Sequence, residues 1–297
     1  MTINSKVINS DGSTRELRKI WGNSTGTILA PISTKAIFFD GATAAGQSDH
    51  IEIGDHNAFS FTDGAGNDKP FSISVWAYVG NVATDDGPFV TKALVSGAGE
   101  TEFIVKHSQG ELRGFIYSGS GVSNRIKLYA NSSVLSSATW HHIVFTYNGD
   151  KASPTLKFYV DGSVVASTQS EDGTFAGITN TSQPLRLGNT SNNPPSAGQA
   201  FEDQMADVVI FDKEISASEV LELFGGDSGV AGSGRVKDMA QFSASANIIS
   251  WWKMGDGDHS GTNGIIDSIG SFHGTLQNGA KIMNAKNLKS DYITKIL

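Results

Sequence analysis

The chain contains no cysteine among its 297 residues. This absence excludes disulfide cross-links, thiolate metal sites and cysteine nucleophiles. A small secreted domain usually depends on disulfides, whereas a chain of this length can bury a core that folds without them. Proline is also scarce, with 7 residues, while glycine is abundant, with 34. This combination favours short strands joined by tight turns.

Positively charged residues are also few in this chain. The chain has 22 lysines and arginines against 30 aspartates and glutamates, which gives a net charge of −8. An acidic chain without a basic patch is a poor partner for a nucleic-acid backbone, so we predict no nucleic-acid binding. No apolar run approaches the roughly 20 residues of a membrane span, so we predict no membrane insertion.

The first residues, MTINSKVINSDGSTRELRK, lack the apolar core of a secretory signal peptide. The sequence therefore indicates either a protein that is made and used without that export route or one that is already mature.

What the sequence does contain is a succession of strand patterns. The clearest is FSISVWAYV at 71–79, in which apolar residues alternate with serine, tryptophan and tyrosine. The stretch 140–162, WHHIVFTYNGDKASPTLKFYVDG, predicts a meander whose second strand ends at Asp161-Gly162, a two-residue turn in which both residues take positive φ. Strand signals that recur at this spacing predict an all-β antiparallel sandwich with a core that includes the residues Phe71, Val75, Trp140, Phe145 and Phe158.

The sequence predicts one helix, which begins at Ser216, where Glu219 completes a capping box, and ends at Gly225. The glycine-rich residues that follow have the composition of a linker. We therefore predict an N-terminal arm at 1–35, a sandwich domain at 36–225, a linker at 226–246 and a C-terminal β extension at 247–297 that packs on the sandwich or on a partner. For residues 1–35 a disordered tail is the alternative.

Several short segments occur in a specific order. They are FDG at 39–41, IEI at 51–53, FSISVW at 71–76, WHHIVFTY at 140–147, LKFYVDG at 156–162, LRLG at 185–188 and DVVIF at 207–211. This set, which spans roughly residues 36–224, resembles the laminin-G-like domain of the concanavalin A-like lectin/glucanase group. The resemblance implies an antiparallel jelly-roll sandwich of two curved sheets, in agreement with the strand patterns.

A further segment, WWKMGDG at 251–257, continues to Asp267 and HGTL at 273–276. In many family members a similar segment precedes the FDG strand, whereas here it follows the helix. That order resembles lectin-like structural proteins of tailed bacteriophages, particularly marine ones. The resemblance implies a virion component assembled in the host cytoplasm: a capsid decoration, head-fibre or tail-associated adhesion protein. Its expected partners are other capsid or tail proteins, further copies of itself in a homo-oligomer, and cell-surface glycans.

Two other functions stay open, a free-standing carbohydrate-binding module and a glycoside hydrolase. Glycosidases on the resembled fold carry a Glu-x-Asp-x-Glu or similar strand motif, because hydrolysis needs two carboxylates at a set separation. The sequence has no such motif, and the nearest groupings, Glu100–Glu102 and Glu202–Gln204, are interpreted as loop residues. We therefore predict no enzymatic activity, although a Ser-His-Asp site is spatial and stays open.

A glycan site needs aromatic platforms with amide or carboxylate partners. The candidates are Trp76, Tyr117, Tyr129, Asn189, Asn192 and Asn193. For each of them, packing in the sandwich or a place in a solvated loop is the alternative.

The resemblance also implies one Ca²⁺ near the first and last strands of the domain. Asp40 and Asp207 stand at the corresponding positions, and Gly41 offers a carbonyl oxygen, which is the ligand type that calcium prefers. The alternative is that Asp40 caps a turn and Asp207 hydrogen-bonds to the backbone.

Overall fold

The computed structural model describes residues 6–8, 14–16, 35–41, 48–63, 66–94, 100–118, 123–152, 155–190, 200–225, 238–255, 259–260 and 264–286. Within these residues the chain forms two large antiparallel sheets, a separate two-stranded sheet and one α-helix. The predicted all-β antiparallel sandwich is confirmed. Among the same residues, no helix is long and apolar enough to cross a membrane.

The strands are, in chain order, β1 (Lys6–Ile8), β2 (Thr14–Glu16), β3 (Lys35–Asp40), β4 (His50–Gly54), β5 (Phe71–Val79), β6 (Asp86–Ala93), β7 (Thr101–Ser108), β8 (Glu111–Tyr117), β9 (Arg125–Ala130), β10 (Thr139–Tyr147), β11 (Leu156–Val160), β12 (Ser163–Val164), β13 (Ser167–Asp172), β14 (Leu185–Leu187), β15 (Glu202–Phe211), β16 (Ile248–Trp252), β17 (His259–Ser260), β18 (Gly264–Ile265), β19 (Gly274–Gln277) and β20 (Lys281–Asn284). Helix α1 covers Ala217–Gly225, and short 3-10 turns lie at Asn57–Phe59, Met239–Gln241 and Ser245–Asn247.

The first large sheet has eight strands in the order β12-β11-β10-β5-β15-β3-β20, with β16 also paired to β15. The second has ten strands in the order β13-β9-β8-β7-β6-β14-β4-β19-β18-β17. We call these the eight-stranded and the ten-stranded sheet. Their facing sides form the core, so each sheet also has an outer face that points away from the other.

The core lies where β10 of the eight-stranded sheet meets β8 of the ten-stranded sheet. Phe145 is fully buried, and a Cβ added to Gly114 would lie only 2.4 Å from its ring. Glycine at 114 therefore lets the two sheets approach. The predicted burial of Phe71, Val75 and Phe158 is confirmed.

Trp140 is buried as well, but not between the sheets. The register places it opposite Tyr78, on the outer face of the eight-stranded sheet, and its Nε1 donates to the carbonyl of Lys286 at 2.7 Å. The predicted position between the sheets is wrong, because side chains alternate along a strand and Trp140 is out of phase with Phe145.

The predicted turn after β11 is confirmed, since Asp161 and Gly162 have φ values of 50° and 80°. The Asp161 carboxylate bonds to His141 Nδ1 at 2.8 Å and accepts the backbone N–H of His142 at 2.9 Å. On the opposite face, His142 Nε2 bonds to the Ser74 hydroxyl at 2.8 Å. His141 therefore ties β10 to the turn after β11, and His142 ties β10 to β5.

Helix α1 begins with the predicted capping box. The Ser216 N–H donates to the Glu219 carboxylate at 2.7 Å, and the Glu219 N–H donates to the Ser216 hydroxyl at 3.3 Å. The helix buries its apolar side on the outer face of the eight-stranded sheet, where the Phe224 ring lies 6.1 Å from that of Trp76.

The C-terminal residues contribute strands to both large sheets. Strand β16 pairs with β15, β19 pairs with β4, and β20 pairs with β3. Of the predicted linker at 226–246, the structure describes 238–246, where the side chains of Met239, Phe242 and Ala244 are buried. Of the predicted N-terminal arm, it describes β1 and β2, which pair with each other, and Lys35 at the start of β3. The proposed domain boundaries stay a prediction.

Candidate functional site

Three aromatic side chains lie together on the outer face of the ten-stranded sheet. Phe115 and Tyr117 of β8 and Tyr129 of β9 point away from the main core, because Ile116 and Leu128, which alternate with them, point into it. The Phe115 ring lies 5.7 Å from that of Tyr129 and 6.2 Å from that of Tyr117. We call these three residues the aromatic row. Tyr129 is its half-buried member, whereas Phe115 and Tyr117 are only 8% and 3% exposed.

Cationic side chains lie against the aromatic row. The guanidinium of Arg113 lies 5.2 Å from the centre of the Tyr129 ring, and that of Arg125 lies 5.3 Å from Phe115. Cations in this position are attracted by the ring faces. The Asp172 carboxylate accepts hydrogen bonds from Lys127 Nζ at 2.7 Å and from Arg125 Nε at 2.9 Å, and these bonds lower the pKa of Asp172. The row is therefore held in place by charged neighbours.

A cleft of about 470 Å³ opens at the end of the same two strands. Ser118, which follows Tyr117, and Asn124, which precedes Arg125, both line it. The full lining is Gly66, Ser118, Asn124, Thr174, Ala176, Gly177, Ile178, Thr179 and Asn180. We call it the loop cleft. Because its lining begins where the aromatic row ends, the two features adjoin.

The loop that lines the cleft, 174–180, has no regular secondary structure but is held by side chains from several elements. The Thr174 N–H donates to Asn124 Oδ1 at 3.2 Å, the Ala176 N–H donates to Ser118 Oγ at 3.1 Å, and the Ile178 N–H donates to Asp68 Oδ1 at 2.8 Å. Lys151 Nζ donates to the Ala176 carbonyl at 2.7 Å. These contacts preorganise the cleft.

Asp68 anchors the loop that lines the cleft. Besides the loop, its carboxylate accepts the Tyr147 hydroxyl at 2.6 Å, and burial raises the pKa of Asp68. Burial also raises the pKa of the Tyr147 hydroxyl. Gly177 has a φ of 115°, and a Cβ there would lie 3.0 Å from Asp68 Oδ1. Only glycine fits this point of the loop without strain.

Of the predicted glycan-binding residues, Tyr117 and Tyr129 are brought together in the aromatic row. Trp76 is fully buried against His142 and Phe224, so its prediction as a platform is wrong. Asn189 is also wrong as a surface amide, because it is 1% exposed and its Nδ2 donates to the Ser48 hydroxyl. Asn192 and Asn193 lie outside the described residues.

The predicted calcium ligands are not brought together. The register places Glu202 opposite Asp40, and Asp207 lies five residues further along β15, about 17 Å away at 3.3 Å per residue. Asp207 is 3% exposed, and its Oδ1 accepts Trp251 Nε1 at 3.4 Å. Asp40, Gly41 and Asp207 therefore do not fit one shared ion. Across the described ranges, no three histidine or acidic side chains form a group that could hold a metal.

The interpretation of the two carboxylate groupings as loop residues is confirmed for Glu100, which precedes β7, and is wrong for Glu102 and for Glu202–Gln204, which lie in strands. Glu102 lies in β7, fully buried, and bonds to Lys92 Nζ at 2.7 Å. Glu202–Gln204 begin β15, where Asp203 forms an ion pair with Lys286 at 2.7 Å. Neither grouping contributes to the lining of the loop cleft.

The predicted site residues do not include Phe115, Arg113 and Arg125. The sequence does contain a signal for them, because the alternation in ELRGFIY and RIKLYA places them on one face with the two tyrosines. The predicted site residues also do not include Ser118, Asn124 and Thr174, for which the sequence contains no local signal. These residues meet only through the path of the loop over the end of the sandwich.

The two antiparallel sheets, with an aromatic row on one outer face and a loop-lined cleft beside it, define a lectin-like jelly-roll protein. The chain belongs to the concanavalin A-like lectin/glucanases superfamily, because the profile of a laminin G family in that superfamily matches residues 34–221, more than half of the chain. The predicted family is thereby confirmed. Comparison with curated proteins gives no match.

Solved structures share the fold at low identity. A protein from Bacteroides ovatus ATCC 8483, whose description as carbohydrate-binding is itself provisional, matches with a TM-score of 0.54 and 16% identity over 84% of this chain. The chain spans 60% of that protein. The CBM40 of the Ruminococcus gnavus IT-sialidase, bound to α2,3-sialyllactose, matches with a TM-score of 0.43 and 12% identity over 66% of this chain and 97% of that one. A Trypanosoma rangeli sialidase matches with a TM-score of 0.36 and 13% identity over 52% of this chain and 22% of that one. At these identities the likeness shows the fold alone.

Proposed function

We propose that the chain is a non-enzymatic carbohydrate-binding protein whose glycan stacks on Tyr129, the half-buried member of the aromatic row, and enters the loop cleft. One observation carries this proposal: the row and the preorganised cleft adjoin at the ends of β8 and β9, where Tyr117 is followed by Ser118 and Arg125 is preceded by Asn124.

The chemistry of the two features is complementary to a sugar. Aromatic rings such as Tyr129 offer an apolar face, on which the C–H side of a pyranose stacks. Thr174 offers a hydroxyl and Asn124 offers its amide N–H group within the cleft, and these uncharged groups suit sugar hydroxyls. Because the loop is already held in place, little ordering entropy is lost when a ligand binds.

The comparisons agree with this proposal at the level of fold. The chain belongs to a superfamily of lectins and glucanases, and the B. ovatus protein with the same fold is described provisionally as carbohydrate-binding.

The cleft favours binding over hydrolysis. A glycosidase places two carboxyl groups on either side of the scissile bond. Among the described residues that line the loop cleft there is no aspartate or glutamate. Asp68, below the loop, already accepts the Tyr147 hydroxyl and the Ile178 N–H.

The test is a glycan array followed by calorimetric titration of each glycan that binds. Replacing Tyr129 by alanine removes the half-buried ring and should weaken binding about fivefold, since stacking on one ring contributes roughly 1 kcal/mol. Val164→Ala, at a 65% exposed residue of β12 in the other sheet, is the matched control and should leave binding unchanged. The absence of binding to any glycan, or equal affinity in the Tyr129→Ala variant, would contradict the proposal.

We further propose that the domain is displayed on a phage particle, as a capsid decoration, head-fibre or tail-associated adhesion protein. The position of the WWKMGDG segment after helix α1 and the cysteine-free composition support this setting. Antibody labelling of purified particles should mark this chain at a fixed position on the virion. Particles that carry no label would contradict the placement and leave a free-standing binding module as the function.

A further inference from the structure

A lysine is buried between two carboxylates where β6 and β7 meet the loop after β4. The side chain of Lys92 is completely inaccessible to solvent. Its Nζ lies 2.8 Å from Asp55 Oδ1, 2.7 Å from Glu102 Oε1 and 2.9 Å from the carbonyl oxygen of Thr181. We call Lys92, Asp55 and Glu102 the Lys92 triad. The binding of glycans makes no use of it.

The members of the triad match the three parts of an amide-forming reaction: an amine nucleophile, a carboxyl electrophile in contact with it, and a second carboxyl group that carries protons. We propose that Lys92 Nζ and Asp55 Cγ join in an intramolecular isopeptide bond, with Glu102 as the proton carrier.

Glu102 is placed for that role. Its side chain is 0% exposed, and Oε1 accepts hydrogen bonds from Lys92, from the Ser60 hydroxyl at 3.1 Å and from the Thr181 N–H at 2.8 Å. Its Oε2 is buried and, among the described residues, has no hydrogen-bond partner. Burial raises the pKa of Glu102, which brings its protonated form closer to neutral pH. When it is protonated, Oε2 can donate the proton that the leaving oxygen of Asp55 needs in order to depart as water.

The triad is enclosed on the side of the sheet. Lys92 lies opposite Phe103 in the register of β6 and β7, and Phe59 and Phe61, on either side of Ser60, are buried. The Asp55 side chain, by contrast, is 39% exposed, so the released water has a path to solvent.

The reaction balances without any other reactant. Glu102 takes one proton from the Lys92 ammonium, and the neutral amine attacks Asp55 Cγ. The C–N bond forms, Glu102 delivers the proton to the oxygen that leaves, and a second proton from the nitrogen reaches that oxygen by the same route. An ammonium and a carboxylate become one amide and one water, with no oxidation or reduction. The product replaces an ion pair, whose lysine is fully removed from water, with a neutral amide.

The bond would secure a weak point of the ten-stranded sheet. Strand β14 has only three residues and lies between β4 and β6. Leu185 lies opposite both Gly54, which precedes Asp55, and Lys92. A covalent link from Asp55 to Lys92 therefore closes a loop around β14 and fixes the two neighbours that hold it.

The test is the intact mass of the purified, denatured full chain. We expect a mass one water below that of the sequence, and a proteolytic map in which the peptides that contain Lys92 and Asp55 are joined. A full sequence mass overturns the proposal.

Formation of a succinimide at an Asp-Gly pair such as Asp161-Gly162 also lowers the mass by one water. The proteolytic map must therefore show which residues have lost the water.

Glu102→Gln preserves the size of the side chain and removes proton transfer, so it should restore the full mass. Lys157→Met is the matched control, because Lys157 pairs with Glu214 at 2.7 Å on the surface, and it should keep the deficit. A deficit that persists in Glu102→Gln, or that maps elsewhere, overturns the proposal. If Glu102→Gln does not fold, the mass and map of the unaltered chain decide.

Discussion

A buried histidine should make the stability of this protein fall in mildly acidic solution. His107 of β7 is fully buried, with its ring 5.3 Å from that of Phe89 and 5.9 Å from that of Phe201. Neither ring nitrogen has a hydrogen-bond partner among the described residues. Burial lowers the pKa of His107 to about 4. We predict that His107→Phe, which retains the aromatic contacts and removes the titrating group, protects the protein at low pH.

The magnitude follows from the difference between the two pKa values. An unfolded histidine has a pKa of about 6.5, so above that pH the ring is neutral in both states and contributes nothing to pH dependence. Below pH 6.5, His107 binds a proton in the unfolded state but not in the folded state. Unfolding therefore becomes more favourable by about 1.4 kcal/mol per pH unit. The penalty should reach about 3 kcal/mol at pH 4. The variant lacks this penalty.

The assay is denaturant unfolding of both proteins at intervals from pH 7.5 to pH 4. Because all other groups are shared, their titration cancels in the difference between the two free energies of unfolding. That difference should be constant above about pH 6.5 and should then increase in favour of His107→Phe. Ile116→Val, a core change without a titrating group, should shift stability equally at every pH. A difference for His107→Phe that stays flat down to pH 4 would refute the reasoning.

Two further predictions concern the core and the C-terminal segment. Phe145→Ala should lower the free energy of unfolding by roughly 3–5 kcal/mol, because it empties the contact with Gly114 between the sheets, and an unchanged thermal melt would disprove that placement. Lys286→Ala should speed amide hydrogen exchange at 281–286 but not in helix α1, because Lys286 Nζ bonds to Asp203 at 2.9 Å and is one of the side-chain anchors of that segment. Equal exchange in both proteins would show that the segment does not depend on this anchor.

The parts of the fold that the sequence predicts are those whose signal is local. The alternation in Phe71–Val79, the turn at Asp161-Gly162 and the capping box at Ser216 each depend on residues a few positions apart. Such patterns act through the backbone of one segment, so they can be read without knowing what the segment packs against.

The errors in the candidate site have a non-local origin. Alternation shows that Trp76 and Phe71 face opposite sides of β5, but not that helix α1 covers the Trp76 side. The predicted pairing of Asp40 with Asp207 is wrong because of the strand register. Strand β15 carries an irregularity between Ala206 and Val209, with Asp207 at a φ of 46°, and nothing in the sequence shows which residue of β15 lies opposite Asp40.

The C-terminal extension is predicted to be necessary for the solubility of the sandwich, because it covers strand edges that the family-matching residues leave open. Without residues beyond 225, β3 loses its neighbour β20, β4 loses β19, and the second half of β15 loses β16. Unpaired edges of this kind recruit strands from other chains. The tryptophans of β16 add packing, since Trp252 is buried and its Nε1 donates to the Phe272 carbonyl at 2.8 Å.

A chain cut after Gly225 should therefore aggregate, whereas one cut after Lys286, the last described residue, should remain monodisperse. Light scattering of the two purified proteins at equal concentration measures this. If the shorter chain stays monodisperse with an unchanged melting temperature, the extension is a separate unit, and the open edges of β3, β4 and β15 are protected by other means.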